Sequence, residues 1–230
     1  MTLKNKQVLL FDLDGTLVDS APDLVVALNK TLRDLNKQEH GEKIIRSWVG
    51  NGAKVLVERG LSGSSTIDSE LDIALAEKAL SIFLIHYRDF ICVETVLYDG
   101  VKEGLIAFKE AGFRLGIITN KPEALIQPIL IGLGIDGLFE IIIGADTLPE
   151  KKPHPLPLLH AAEKLSVTIE QCLMIGDSKN DILAAKAANM DSVGLTYGYN
   201  YGEDISLYNP QWCFDTFSEL TGELTTLVHR

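Results

Sequence analysis

Two aspartates one residue apart, Asp12 and Asp14, close the apolar run Val8-Leu9-Leu10-Phe11 and are followed by Gly15 and Thr16. Such a run is what a strand buried on both faces displays. Strand side chains alternate, so both carboxylates leave the strand's end pointing the same way. Side by side they repel unless a proton or a cation lies between them, which makes the pair a candidate nucleophile and metal site. Gly15 supplies freedom for a turn, and Thr16 adds a hydroxyl and an N–H. A plain strand end with an Asp-Gly turn uses the same residues, so the pair has to be weighed with the rest of the chain.

The elements around this pair fall into two blocks. From Asp19 to Phe90 the chain reads as consecutive helices without a strand. Asp19 and Ser20 offer caps and Pro22 a first turn, and Leu24, Val25, Leu28, Leu32 and Leu35 follow at helical spacing. Short helices over 42–49 and 53–59 are separated by Gly50-Asn51-Gly52. After the Ser/Gly-rich stretch 61–66, a long helix is expected from about Ile67 to Phe90. Beyond Leu97, helices (101–111, 122–132, 155–165, 180–188) alternate with apolar strands (113–119, 139–144, 172–176, 192–195). That alternation implies an α/β fold, a Rossmann-like parallel sheet with helices on both faces, to which the first strand also belongs. The helical block is then an all-helical insertion, residues 19–94, joined by two linkers to a core made of 1–18 and 95–230. After Gly198 the chain is less regular, apart from an amphipathic helix at 217–228.

Open parallel sheets bind ligands at the carboxyl ends of their strands. Here those ends carry Asp12-Leu13-Asp14, then Thr119-Asn120-Lys121, then, a few residues past the third strand, Lys151-Lys152-Pro153, and finally Gly176-Asp177 through Asp181. Each alone is an ordinary loop; together, in this order and at one edge, they form a site.

In this set, Asp12-Leu13-Asp14-Gly15-Thr16, Thr119, Lys152-Pro153 and Gly176-Asp177 with Asp181, the chain resembles the haloacid dehalogenase-like hydrolases. The helical insertion resembles that superfamily's mobile cap. Residues 17–24, Gly50-Asn51-Gly52-Ala53, Asn120-Lys121-Pro122, 151–155 and 194–202 are similar to the phosphoglycolate phosphatases within it. The resemblance implies a magnesium-dependent phosphatase that takes 2-phosphoglycolate to glycolate and phosphate through an aspartyl-phosphate. Asp12 is then the nucleophile and Asp14 the acid and base, its proton favoured by crowding from Asp12. Thr119, Asn120 and Lys152 bind phosphoryl oxygens, with the Gly15 and Thr16 amides as further donors. Magnesium is held by Asp12, the main-chain carbonyl of Asp14, and Asp177. Asp181 holds a metal-bound water or Lys152. Other readings are a phosphatase of another small phosphate monoester, a β-phosphoglucomutase-like phosphotransferase, or, from a different class, a binding module on the same fold. Dehalogenation does not fit, since that branch lacks the aspartate found here as Asp14.

Gly50-Asn51-Gly52 leads into a helix, whose exposed N–H groups attract carboxylates. The loop, with Lys54, is expected either to capture the substrate's carboxylate or to be a turn between helices.

Lys plus Arg number 21 against 32 Asp plus Glu, a net charge of −11 that repels nucleic acid and anionic lipid. The expected partner is a small anionic phosphate ester, bound by a monomer or homodimer. Three scattered cysteines form neither a disulfide framework nor a zinc ribbon, and the histidines lack zinc-ligand spacing. No apolar run reaches membrane-spanning length, and Met1 to Lys6 lead straight into the first strand, so a cytoplasmic location is expected. Tyr197, Tyr199 and Tyr201 alternate beside glycines with no neighbouring Arg or Lys, which fits a structural loop flanking the site better than base stacking.

Overall fold

The computed structural model describes residues 5–228. Residues 1–4 and 229–230, which the division above counts with the core, lie outside the described residues, and so does most of the leader reading. In chain order the elements are β1 (Val8–Phe11), β2 (Val18–Asp19), α1 (Ala21–Asp34), α2 (Glu42–Arg46), α3 (Ala53–Ser62), α4 (Ile73–Asp89) and β3 (Val96–Leu97). There follow α5 (Val101–Glu110), β4 (Arg114–Ile118), α6 (Ile126–Leu133), β5 (Ile141–Ile143), α7 (Leu156–Lys164), β6 (Cys172–Gly176), α8 (Lys179–Ala187), β7 (Asp191–Leu195), β8 (Trp212–Phe214) and α9 (Phe217–Val228).

Six strands form one parallel sheet in the order β5-β4-β1-β6-β7-β8. Alternation divides β1: Leu9 and Phe11 pack with Phe108, Ile126 and Phe217 on one face, Val8 and Leu10 with Leu158 and Ala184 on the other. With both faces covered, every residue of β1 is buried. The chain runs outward from β1 to β4 and β5 on one side and to β6, β7 and β8 on the other. The switch point, where such sheets hold their ligands, therefore lies at the end of β1.

The insertion does not leave and return through loose linkers. Val18 and Asp19 pair antiparallel with Leu97 and Val96, forming a two-stranded ribbon that both outgoing and returning chains share. The expected cuts at 18/19 and 94/95 thus fall in or beside paired strands. Asp23, buried in α1, clamps the return by accepting from the N–H groups of Val93, Glu94 and Thr95 and from the Thr95 hydroxyl at 2.6–3.0 Å. Two-residue strands are too short to show periodicity, which is why the sequence hides them. Helices α1–α4 bury an apolar cluster of their own around Leu28, Trp48, Leu56 and Phe83.

Two further expectations are corrected. The long helix begins at Ile73, not 67, because Asp68 and Asp72 each accept a backbone N–H two residues on. Such local turns compete with helix, and Asp72 becomes the N-cap. The irregular tail also holds β8, an edge strand paired on one side only.

Candidate active site

Asp12 ends β1 with its N–H bonded to the Ile175 carbonyl at 2.9 Å. Its carboxylate accepts from the Leu13 N–H at 2.8 Å and lies 3.1 Å from the Lys152 ammonium. Lys152 comes from the loop after β5 and also meets Asp181 at 2.6 Å. Asp181 lies in the first turn of α8, where its other oxygen accepts from the N–H and hydroxyl of Ser178. Of the two partners expected for Asp181, the structure places Lys152 against it. Asp177, after β6, accepts from the Thr16 hydroxyl and the Tyr199 N–H, both at 2.7 Å. Gly15 (φ +93°) closes the turn so tightly that a Cβ there would collide with the Asp177 carboxylate.

One oxygen each from Asp12, Asp177 and Asp181 lie within 4.8 Å of one another, all three residues buried. Burial, then the charge of Asp181 and Asp14, pushes Asp12 up to about 6 although Lys152 opposes it. Burial, then Asp12 and Asp181, pushes Asp177 up to about 8. Three carboxylates with one ammonium leave negative charge that burial penalises, and the donors are all oxygen. That is a donor set for a hard divalent cation such as magnesium. Asp181 stands in this cluster. The Asp14 carboxylate does not, which leaves only its main-chain carbonyl for the metal role expected of it.

Asp14 is held by a different cation. Both its oxygens lie 3.0 Å from the Lys121 ammonium, and the Ser20 hydroxyl donates to it at 2.6 Å. Crowding by Asp12, the expected influence on Asp14, is thus joined by a direct cation. Lys121 also donates to the Tyr87 hydroxyl of α4 at 2.7 Å, linking sheet edge to insertion. Burial pulls Lys121 down, but Asp14 and Tyr87 outweigh it and the ammonium is held above its ordinary range.

Asp12, Asp14, Tyr87, Thr119, Asn120, Lys121 and the loop at Gly50 and Gly52 line a cavity of about 30 Å³ whose remaining wall is apolar. The loop is latched by the core. Asn180 donates to the Gly50 carbonyl at 3.2 Å and to the Asn51 side chain at 2.7 Å, Tyr201 donates to Asn51, and Lys151 donates to the Asn51 carbonyl at 2.8 Å. Gly52 (φ +90°) sits so close to the core that a Cβ would lie 2.8 Å from the Asn120 carbonyl.

Three expected site residues take other roles. Asn120 spends its amide donors on the carbonyls of Gly50 and Lys152, at 3.2 and 3.0 Å; its oxygen, buried without a partner, is an acceptor and suits no phosphoryl oxygen. The Asn51 side chain is bound by the core instead of facing the cavity. Lys54 is 66% exposed, 3.9 Å from Glu58, and is not part of the cavity wall. Thr119 is buried at the end of β4, on the wall.

Sequence reading placed Lys121 at the sheet edge without a role and missed Tyr87 and the latch of Asn180 and Tyr201. The signal for Lys121 was parity, since it stands two residues beyond Thr119 at a strand end. The tyrosines do form the expected flanking loop: Tyr197 donates to the Thr16 carbonyl at 2.7 Å and Tyr199 to Asp19 at 2.8 Å.

The profile of the haloacid dehalogenase-like hydrolases matches residues 6–189. A protein of Colwellia psychrerythraea named phosphoglycolate phosphatase is 69% identical over 220 residues, covering 96% of this chain and 97% of that one. The crystal structure of a predicted phosphoglycolate phosphatase from Haemophilus somnus superposes with a TM-score of 0.88 at 40% identity, covering 96% and 98% of the two chains. CbbY from Rhodobacter sphaeroides, solved in complex with phosphate, gives 0.74 at 25% identity, over 94% and 96%. With its aspartates, lysine and threonine gathered at the switch point of a parallel sheet, the chain belongs to the haloacid dehalogenase-like hydrolases.

Proposed function

We propose that this chain is a magnesium-dependent phosphatase that hydrolyses 2-phosphoglycolate to glycolate and phosphate. The observation that carries the chemistry is Asp12, a buried carboxylate on the cavity wall with Lys152 at 3.1 Å. The likeness to proteins named phosphoglycolate phosphatase supports the substrate.

In the first step an Asp12 oxygen attacks phosphorus, the bond from phosphorus to the glycolate oxygen breaks, and the leaving alkoxide takes a proton from Asp14. In the second, water attacks phosphorus, Asp14 takes its proton, and the bond from phosphorus to Asp12 breaks to release phosphate. Splitting one displacement into two lowers each barrier. Lys152 and the Thr119 hydroxyl steady the phosphoryl oxygens, where charge spreads in the transition state. Asp12 and Asp177, the main-chain carbonyl of Asp14, and Asp181 directly or through water, would hold magnesium, which supplies charge neutralisation for nucleophile and phosphoryl group.

The insertion, residues 19–94, acts as a cap. Substrate enters when it swings about the β2–β3 ribbon, and closure of the Gly50–Gly52 loop excludes water from the first step. The cysteines Cys92, Cys172 and Cys213 are free, which supports a reducing, cytoplasmic setting. Among the described residues no helix is long and apolar enough to cross a membrane.

The test is the initial rate of phosphate release with magnesium over 2-phosphoglycolate, phospholactate, β-glucose 1-phosphate, pyrophosphate and a nucleoside monophosphate, with Asp12→Asn as the blank. A kcat/KM for 2-phosphoglycolate well above the others is expected. A flat profile would refute the substrate, and activity surviving in the blank would refute the nucleophile.

A further inference from the structure

We propose that Lys121 determines substrate choice, pairing its ammonium with the carboxylate of the substrate. This rests on the reading of the site as a phosphoglycolate phosphatase and assigns the residue that reads the tail.

A substrate with a phosphate at one end and a carboxylate at the other needs a cation for each. Lys152 serves the phosphate end, beside Asp12. Among the described residues Lys121 is the only basic side chain on the cavity wall. Lys151 is committed to the Asn51 carbonyl, and Lys54 is exposed. Lys121 is 4% exposed, so its charge acts where solvent screens little.

Its surroundings suit a carboxylate. The Tyr87 hydroxyl accepts from Lys121, and no acceptor for the Tyr87 proton occurs among the described residues. Ammonium and phenol thus present two donors 2.7 Å apart. Asp14 spans the ammonium with both oxygens at 3.0 Å, and a second carboxylate can replace one of these contacts while Asp14 keeps the other. Around them Leu24, Val49, Phe83 and Leu125 offer nothing polar, so an apolar tail leaves the ammonium and phenol without a matching contact. A cavity of about 30 Å³ also restricts the tail to a few atoms.

The experiment compares 2-phosphoglycolate with ethyl phosphate, which has the same two-carbon reach and no carboxylate, in the wild type and Lys121→Met. The ratio of their kcat/KM values is read. A charge-assisted pair predicts that Lys121→Met lowers this ratio about tenfold or more, beyond whatever both substrates lose through Asp14. Lys121→Gln, whose amide still donates, gives the same readout should the methionine variant not fold, and Lys121→Arg is expected to restore part of the ratio. A ratio unchanged in the neutral variants, with both substrates falling in parallel, would overturn the assignment and leave Lys121 a positioning residue for Asp14. A wild type with no preference for the carboxylate would overturn the proposed function along with it, so the two failures are distinguishable.

Discussion

The sheet end of the site and its seam with the insertion are built from different interactions. At the sheet end buried charges meet: Asp12 and Asp181 on the Lys152 ammonium, with Asp177 beside the two carboxylates. Across the seam with the insertion, most contacts are neutral amides and phenols on backbone or side-chain oxygen, as in the grip of Asn120, Asn180 and Tyr201 on the Gly50–Asn51 loop. A buried charge pair is costly to separate, so it fixes geometry. A neutral hydrogen bond is worth about 0.5–1.5 kcal/mol net, so a few can be made and broken in each turnover. Fixed groups suit phosphoryl transfer and exchangeable ones suit a moving cap; Lys121, bridging Asp14 and Tyr87, and Lys151, on the Asn51 carbonyl, are charged exceptions on the boundary.

The largest effect should come from Asp12→Asn. Removing the nucleophile is expected to lower kcat by about 10³-fold or more. It also removes one of three crowded carboxylates, so the melting temperature should hold or rise. Phosphate release and a melting curve check both, and a fall in melting temperature would mean that Asp12 holds the sheet end together.

Lys152→Met asks whether the sheet end is bound by charge. The variant leaves Asp12 and Asp181 buried without their common cation, a loss of about 3–5 kcal/mol for a broken buried pair. Urea unfolding without magnesium measures it. A loss below about 1 kcal/mol, the range of surface pairs, would erase the distinction between sheet end and seam.

Magnesium and pH sharpen the same point. Asp177 is raised from 3.8 to about 8, above its value in the unfolded chain. A carboxyl raised on folding contributes stability that is complete below pH 3.8 and is lost as pH climbs through about 8. Metal-free protein should therefore lose melting temperature from pH 5 to pH 8. Added magnesium, competing with the proton, should stabilise more at pH 8 than at pH 5. Asp177→Asn should flatten both trends; equal magnesium shifts at the two pH values would argue against the carboxylate cluster as the metal site.

The same contrast explains what the sequence could reveal. The sheet end was legible because each of its groups follows an apolar strand: Asp12 after β1, Thr119 after β4, Asp177 after β6. Strand periodicity tells which way each points. Lys152 needed the family resemblance for its role, since nothing local says that a loop residue nine positions beyond β5 turns back to Asp12. The seam was largely illegible. Asn51 meets Asn180 and Tyr201, 129 and 150 residues away, and such pairs leave no local pattern. The β2–β3 ribbon was hidden for a similar reason, since two residues per strand carry no alternation. Lys54 misled because helix-start chemistry fits its position, while the side chain turns outward to Glu58.

Lys54 and Asn51 give the smallest expected effects and the finest test of the seam. Lys54→Ala removes an exposed side chain and a long ion pair, worth little in water, so kcat and KM for 2-phosphoglycolate should stay within about twofold. Asn51→Ala removes the acceptor shared by Asn180 and Tyr201, which can still bond each other at 3.0 Å. Only the closed arrangement is weakened, by two neutral hydrogen bonds or about 1–3 kcal/mol, and kcat/KM should fall about five- to a hundredfold with the melting temperature unchanged. Were Lys54→Ala to raise KM and Asn51→Ala to do nothing, the loop would be a carboxylate receptor after all, and the tail-reading assigned to Lys121 would have a competitor on the insertion.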